Sequence, residues 1–362
     1  MRAQTGSRLA PGPRPTPSRD LEVPAPLRRL SIESILSRSG FEVSGQGRLR
    51  DLRDGYYVVV DKAITGDAPK DFIRVYEYGT AKRDNPRKWP AHIAKVGHKW
   101  YPNESITEHL LTRIGQLLGV RMAESKLMLA HGQIRFLSRY FLRAEQSLVH
   151  GAQIFASYLE DEAFVDAFEK DPEARDHFTF QFVAEAIRAR FPDQAPSILN
   201  DFTRMLAFDA IVGNNDRHHY NWGVVVHARG AHEPYFAPVY DTARALFWND
   251  PESKLQAVRD DRNPDRRAIF LSRYVKDSRP KTGWEGAHGP DHYTLIRGIC
   301  QDYPDLRQAL ADLCRPNLLQ QTRRILNSEF LPLMSALRRD FILDCLARRL
   351  EQYCDTVTEA IP

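Results

Sequence analysis

The stretch DAIVGNNDRHHYNWGVVV, residues 209–226, restricts the possible folds of this chain more than any other. An apolar run with helical spacing leads into it, and an alternating, β-branched run follows. Between them the chain places Asp216, His218, His219 and Asn221 within six residues. A buried helix must therefore end, and a buried strand must begin, around a short turn crowded with chemically capable side chains.

The composition is that of an ordinary soluble protein, with 42% hydrophobic and 27% charged residues, and 362 residues suffice for about two domains. There is neither an apolar run long enough to span a membrane nor an apolar segment typical of a secretory signal, so we expect no membrane partner. The net charge of +4 permits a nucleotide partner without demanding nucleic acid. The four cysteines lack C-x-x-C spacing, which is typical of buried thiols in a cytoplasmic protein.

The chain divides into three parts by its patterns. Residues 1–30 are rich in proline and arginine and lack aromatic residues, which predicts a disordered tail. Strand patterns dominate up to residue 150, at 56–64, 71–79, 91–96 and 133–142, with one amphipathic helix at 103–119. Helical patterns dominate residues 151–362, apart from a predicted hairpin formed by YNWGVVVHA and PYFAPVYD.

The hairpin brings a third polar residue towards the central turn. Asp216 and Asn221 have the spacing D-x-x-x-x-N, and Asp241 follows the second hairpin strand. Loops at the same end of a hairpin can converge in space, and Asp, Asn and Asp in this order are typical of protein-kinase-type phosphoryl transfer. Carboxylate and amide oxygens also suit Mg²⁺. Alternatively, Asp216 and Asn221 are simple turn formers, although this does not explain Asp241.

Phosphoryl transfer also needs a lysine that reaches the nucleotide phosphates. Lys95, in AHIAKVG, lies in a short apolar strand directly before the long helix. Glu104 and Glu108 on that helix could each pair with it, and we favour Glu108, which lies one turn further in. The alternatives are that Lys95 faces solvent and that Glu108 belongs to a capping box in SITE, residues 105–108.

These segments resemble those of HipA-like serine/threonine kinases, in particular the shorter forms without an extra N-terminal domain. IVGNNDRHHYNWG and FAPVYDTARALFWN are similar to the catalytic and metal segments. ITGDAPKDFIRV resembles the phosphate loop, HIAKVG the lysine strand, and RFLSRYF the nucleotide hinge. The resemblance implies an α+β, bilobal protein-kinase-like fold, with a β-rich N-lobe over 40–150 and a mainly helical C-lobe over 151–362.

The resemblance also implies roles for individual residues. Asp216 would be the catalytic base and Lys95 would contact the phosphates of ATP, positioned by Glu108. Asn221 and Asp241 would hold Mg²⁺. The remaining implied contacts are Gly66 and Lys70 at the phosphate loop and Ser138, Arg139 and Tyr140 at the adenine ring. His218 would either help to place the γ-phosphate or simply brace the loop. Gly66 and Lys70 are equally compatible with an ordinary hairpin turn.

The implied reaction is transfer of the γ-phosphoryl group to a Ser or Thr hydroxyl of a protein, possibly the chain itself, with no DNA partner expected. The family's regulatory serine would fall at Ala63, which has no hydroxyl. Residues 1–60 are also too short for the domain that binds an antitoxin in longer members.

There are two runner-up functions. One is a phosphoinositide kinase, because DRHHYN also resembles the D-R-H-x-x-N loop of those enzymes, and the other is a nucleotide-binding pseudokinase. A histidine-ligated metal is disfavoured, since neighbouring histidines point apart and no H-x-x-x-H spacing occurs.

Overall fold

The computed structural model of the protein describes residues 49–62, 70–96, 103–130, 133–161, 163 and 177–360. The predicted tail at 1–30 lies outside these residues, as do Gly66 and most of the predicted phosphate loop.

A five-stranded antiparallel sheet forms the first part of the fold, in the order β1-β2-β3-β5-β4. Its strands are rich in β-branched and aromatic residues, as the strand patterns require. In the β2–β3 register, Lys70 lies directly opposite Lys95, so two ammonium-bearing side chains leave the sheet side by side. The strands are β1 (Tyr57–Val60), β2 (Lys70–Val75), β3 (Ala91–Val96), β4 (Ser125–Ala130) and β5 (Gln133–Arg139).

Helix α1 (Asn103–Leu117) packs between this sheet and the helical part of the molecule. Ile106, Leu110, Leu111 and Ile114 recur at the spacing of one helix face and have no exposed surface. They belong to the same hydrophobic core as the later helices and as Leu127 and Phe136 of the sheet, whereas other sheet residues form a separate small cluster. This packing anchors α1, and with it Glu108, against the larger part of the protein.

A second antiparallel sheet contains β6 (Gln146–His150), β7 (Gly223–His227) and β8 (Tyr235–Phe236). Strands β7 and β8 are the predicted hairpin, although β8 is shorter than expected. Strand β6 precedes residue 151, where the predicted boundary lies, yet it pairs with β7. This sheet carries the central turn at one end, because the turn enters β7 directly.

Most regular structure in the rest of the described chain is helical. Helix α4 (Ala195–Val212) is apolar on most of its surface and thirteen of its residues are buried, so it is the central helix of the body. None of the helices in the described ranges is long and apolar enough to cross a membrane. The helices after α1 are α2 (Gly151–Leu159), α3 (Phe180–Arg190), α4 (Ala195–Val212), α5 (Glu252–Arg259), α6 (Arg266–Asp277), α7 (His292–Asp302), α8 (Arg307–Ala311), α9 (Leu318–Ser328) and α10 (Ala336–Ala360).

The predicted α+β class is confirmed, and most predicted elements occur within a few residues of their expected bounds. Helix α1 begins at the predicted residue, and β3 has the predicted bounds. The sequence patterns did not identify β4 and β6, nor helices α2, α5, α6 and α9.

Candidate active site

The centre of the site is the ammonium group of Lys95. Its Nζ lies 2.9 Å from Oε1 of Glu108 on α1 and 2.8 Å from Oδ1 of Asp241, which follows β8. Of the two candidate glutamates, Glu108 therefore meets Lys95. The Nζ of Lys70 lies 3.6 Å from the other carboxylate oxygen of Asp241. One strand pair, one helix and one distant loop thus converge on four alternating charges.

The pKa values of Lys95, Glu108 and Asp241 depend on burial and on the charges of one another. Lys95 and Glu108 are 8% and 4% exposed. Burial opposes the charged form of Lys95, but Asp241 and Glu108 outweigh it and raise its pKa above the usual value. Burial likewise raises the pKa of Asp241, but Lys95 and Lys70 reverse this and hold it well below its usual range. For Glu108 burial prevails over Lys95, and with the help of the Asp241 charge it raises the pKa to about 7.

Asp241 has a backbone conformation that few residues adopt. Its φ is 52°, in the left-handed region where aspartate is tolerated better than most side chains. With this backbone conformation, the Asp241 carboxylate reaches Lys95. Strain of this kind persists only when the surroundings hold it in place, and it occurs often at functional sites.

The central turn begins at the end of α4. Gly213 ends the helix with a φ of 78°, and a Cβ there would lie 2.8 Å from Cζ of Arg349. Both the conformation and the close approach require glycine. The turn then closes on itself, because the backbone oxygen of Asp216 accepts hydrogen bonds from the backbone N of His218 at 2.9 Å and Nδ2 of Asn221 at 2.8 Å. The Asn221 amide thus has its nitrogen committed to the loop, leaving Oδ1 as the candidate metal ligand.

Arg217 joins the central turn to the Asp241 loop. Its Nη1 donates to the backbone oxygens of Asn221 at 2.9 Å and Tyr240 at 2.7 Å, and its Nη2 donates to Oγ1 of Thr242 at 2.8 Å. One buried guanidinium therefore contacts residues at or beside both candidate metal ligands. A single planar group with five donors thus spans the two loops.

A buried carboxylate on α4 holds Arg217 in place. Asp209 accepts from Nε and Nη2 of Arg217 at 2.9 and 3.1 Å, and also from Nδ2 of Asn214 at 2.9 Å. Asn214 in turn accepts from the backbone N of Asp216 at 3.2 Å through its Oδ1. This network anchors the turn to the central helix of the body.

The Asp216 carboxylate is partly accessible, and its Oδ2 lies 3.2 Å from Nε of Arg244. His218 is half-buried; burial lowers its pKa, while Asp216 and Asp241 act in the opposite direction. His219 points elsewhere, into an aromatic cluster that includes Phe178 at 4.3 Å between ring centroids, and burial lowers its pKa to about 3. The two histidines therefore diverge, and His218 is the one beside the acidic groups.

The backbone of the predicted hinge is already paired within the sheet. Ser138 lies within the sheet, paired with strands on both sides. The N–H of Arg139 donates to Glu124 O at 2.7 Å and that of Tyr140 to Ala91 O at 2.9 Å, so neither is available to an adenine ring. The Tyr140 ring packs instead under Lys62, whose Nζ lies 4.2 Å from its centroid. The first candidate backbone donors for adenine therefore come after Tyr140.

Sequence reasoning missed the residues that support the site. Asp209 could have been noticed as a carboxylate in an otherwise apolar helix face, since such a group must have a partner. Arg217 lies within the quoted turn but did not stand out as a ligand or catalyst. The contacts of Thr242 and Arg244 had no signal in the sequence, because they depend on how the two loops meet.

The donor set is compatible with Mg²⁺ held partly by a nucleotide. Among the described residues, no three His, Cys, Asp or Glu side chains form a group that could bind a metal without additional ligands. Mg²⁺ is commonly held by one or two protein oxygens together with substrate phosphates and water, and the Asp241 carboxylate and Asn221 amide supply oxygens of this kind. The neighbouring Lys70 and Lys95 would face the phosphates.

Comparison with solved structures identifies two similar proteins. The structure is similar to that of the Helicobacter pylori proinflammatory kinase CtkA, with a TM-score of 0.64 and 19% identity over 86% of this chain and 98% of that chain. HipA of Shewanella oneidensis, solved with HipB and its operator DNA, matches with a TM-score of 0.44 and 14% identity over 86% of this chain and 66% of that chain. Comparison with curated protein sequences gave no significant match.

The likeness to CtkA shows that the chain has the fold of that kinase, which confirms the predicted bilobal kinase-like architecture. The model of the HipA-like C-terminal domain matches residues 62–294, from just after β1 to the start of α7. With well over half of its length matched, this chain belongs to the HipA-like family.

Proposed function

We propose that this chain is a protein kinase that uses ATP and Mg²⁺ to phosphorylate a Ser or Thr hydroxyl. The observation that carries the proposal is the double ion pair of Lys95 with Glu108 and Asp241, at 2.9 and 2.8 Å. A lysine held in this way between a helix glutamate and a metal-binding aspartate is the nucleotide-positioning arrangement of protein kinases. The HipA-like sequence match and the CtkA-like fold support the same conclusion.

In this proposal each charged group of the cluster has one task. Lys95 and Lys70 neutralise the phosphates of ATP, and Glu108 keeps the Lys95 ammonium directed into the cleft. Asp216 lies on the adjoining turn with a partly accessible carboxylate, and it orients the acceptor hydroxyl and accepts its proton. Catalysis then depends on positioning and charge neutralisation and needs no covalent intermediate.

Mg²⁺, when bound, would neutralise the phosphates and polarise the transferred group. Asp241 and Asn221 would hold it through side-chain oxygens. Arg217 keeps the backbones of Asn221 and Tyr240 next to one another, and the left-handed turn at Asp241 directs its carboxylate to the same place. His218, half-buried beside Asp216 and Asp241, braces the turn close to the transferred phosphoryl group.

The adenine ring would meet the backbone at Phe141 and Leu142. This assignment follows from the internal hydrogen bonds of Arg139 and Tyr140, which remove the two preceding N–H groups. Phe141 also lies near Tyr240, with 5.9 Å between ring centroids, so this segment borders the Asp241 loop. The nucleotide would thus lie between the end of β5 and the four-charge cluster.

Incubation with labelled ATP and Mg²⁺ tests the proposal, with transfer measured to a panel of Ser- and Thr-containing proteins and to the chain itself. An Asp216→Asn protein should lose turnover by about 10²- to 10⁴-fold, the usual contribution of a positioned base, and should keep its affinity for ATP. Asp201→Asn is the matched control, because that aspartate forms a surface ion pair with Arg121. Equal transfer by the parent and the Asp216→Asn protein would refute the assignment, and ATP binding without any transfer would indicate a pseudokinase. Transfer to phosphoinositide vesicles instead of protein would identify a lipid kinase.

A further inference from the structure

Two arginines connect the central turn and the Asp241 loop in opposite directions. Arg217 extends from the turn into the loop and is 2% exposed. Arg244 extends from the loop back to the turn, where its Nε lies 3.2 Å from Oδ2 of Asp216, and its side chain is 43% exposed. The buried arginine supports the backbone, whereas the accessible one contacts the candidate base itself.

The surroundings of Arg244 hold its side chain in one direction. Its guanidinium carbon lies 5.4 Å from the centroid of the Trp248 ring, a cation–π arrangement. Its backbone oxygen lies 3.4 Å from the backbone N of Asn215, the residue directly before Asp216. Arg244 is therefore attached to the turn by its main chain and supported by an aromatic ring while its charge faces the carboxylate.

The ion pair with Arg244 involves Oδ2 of Asp216, and Oδ1 is not part of it. In the described part of the chain, the side-chain contact recorded for Asp216 is the ion pair through Oδ2. An aspartate that must receive a proton from an acceptor hydroxyl needs one oxygen in a defined direction. The guanidinium charge beside Oδ2 favours an orientation of the carboxylate in which Oδ2 faces Arg244 and Oδ1 is left for the hydroxyl.

We propose that Arg244 is a positioning residue that orients the Asp216 carboxylate for the acceptor hydroxyl. The proposal rests on the proposed kinase function. It further implies that the alignment of the base depends on the same loop that carries Asp241, so that formation of the metal site and orientation of the base are coupled.

Steady-state kinetics of Arg244→Ala test this role, with labelled ATP, Mg²⁺ and dephosphorylated casein as acceptor and with self-labelling as a second readout. We expect kcat to fall roughly tenfold, a part of what a positioned base contributes, while KM for ATP stays close to the parent value. Arg244→Lys should recover part of the loss, since it keeps the charge without the planar geometry. In an Asp216→Asn background, Arg244→Ala should have no further effect, because Arg244 acts through that carboxylate.

Arg266→Ala is the matched control, because its Nε lies 3.4 Å from Oδ2 of Asp261 at a similar exposure of 49%, away from the site. It should leave kcat unchanged. An unchanged kcat in Arg244→Ala overturns the proposal, and a raised kcat would show that Arg244 blocks the base. If Arg244→Ala lowers kcat, weakens ATP binding and lowers the urea midpoint as well, the role of Arg244 is structural instead. If the parent shows no transfer that depends on Asp216, the proposed function itself fails; if the parent transfers normally and Arg244→Ala does too, only the positioning role fails.

Discussion

Replacing Arg217 with alanine tests the buried network that joins the two loops of the site. The substitution removes five hydrogen bonds, two to Asp209 and three to Asn221, Tyr240 and Thr242. It also leaves the Asp209 carboxylate, 1% exposed, with the Asn214 amide as its remaining side-chain partner.

The magnitude follows mainly from the stranded charge. Removing one partner of a buried ion pair costs about 3–5 kcal/mol, because the other charge stays buried without compensation. That is a large part of the total stability of about 5–15 kcal/mol that is usual for a protein. We therefore expect Arg217→Ala to lower the free energy of unfolding by about 3–5 kcal/mol. Affinity for ATP in the presence of Mg²⁺ should fall as well, since the loops lose their common donor.

Urea unfolding followed by circular dichroism measures the effect. The control is Arg297→Ala, which removes an arginine–glutamate contact, 3.4 Å to Glu359, whose two side chains are 46% and 69% exposed. Exposed pairs contribute about 0–1 kcal/mol, so this variant should remain close to the parent. An Asp209→Asn change in the Arg217→Ala background should recover part of the loss, because no charge is then left buried.

Two results would refute this reasoning. A free energy of unfolding for Arg217→Ala within about 1 kcal/mol of the parent would show that water or a neighbouring side chain replaces the guanidinium. A double variant no more stable than the single one would show that the stranded carboxylate is not the source of the cost.

Three further predictions concern the same site. The ordinary pKa of a glutamate is 4.5, and the pKa of Glu108 in the folded chain is about 7. Between these two pH values Glu108 is protonated in the folded state and ionised in the unfolded state. Stability should therefore fall as pH rises through this window, by at most about 1.4 kcal/mol per pH unit from this group, and the Glu108→Gln protein should lack that component in urea titrations at several pH values. Gly213→Ala should lower the urea midpoint far more than Gly79→Ala. Both glycines have a positive φ, but a Cβ at Gly213 would lie 2.8 Å from Arg349, whereas a Cβ at Gly79 would have no atom within 4 Å. Equal midpoints for the two variants would contradict this. Asp241→Asn should weaken ATP binding measured by calorimetry with Mg²⁺ but much less with EDTA, and equal losses under both conditions would argue against a metal role.

The local patterns of the sequence were sufficient for elements whose burial has a clear period. Helix α1 has four fully buried residues at helical spacing, and it begins where the pattern begins. Helices α5 and α6 were missed because more than a third of their residues are charged and two residues are buried in each. Their stability comes from packing on α10, which no local pattern reports.

The hinge shows a different limit. RFLSRYF has the composition of a strand that ends near a nucleotide, and β5 does end there. Which N–H groups remain for a ligand depends on pairing with β3 and with the segment before β4, and Arg139 and Tyr140 both have partners in those segments. A register of this kind is set by strands distant in sequence, so the residues alone could not show which of these N–H groups are already paired.

The sequence by itself determined the types of chemical group and their order along the chain: a lysine on a strand, a glutamate on the next helix, D-x-x-x-x-N at a turn and an aspartate after a hairpin. Spacing rules suffice for this because each group lies in a locally recognisable element. The tertiary structure decided which groups meet. Lys95 contacts Asp241 across 146 positions of chain, and the two arginines that join the loops contact residues brought near by the packing of α4 against β7 and β8. Ion pairs of this kind depend on distance in space and on the loss of water around them, and neither quantity is a property of a local stretch of sequence.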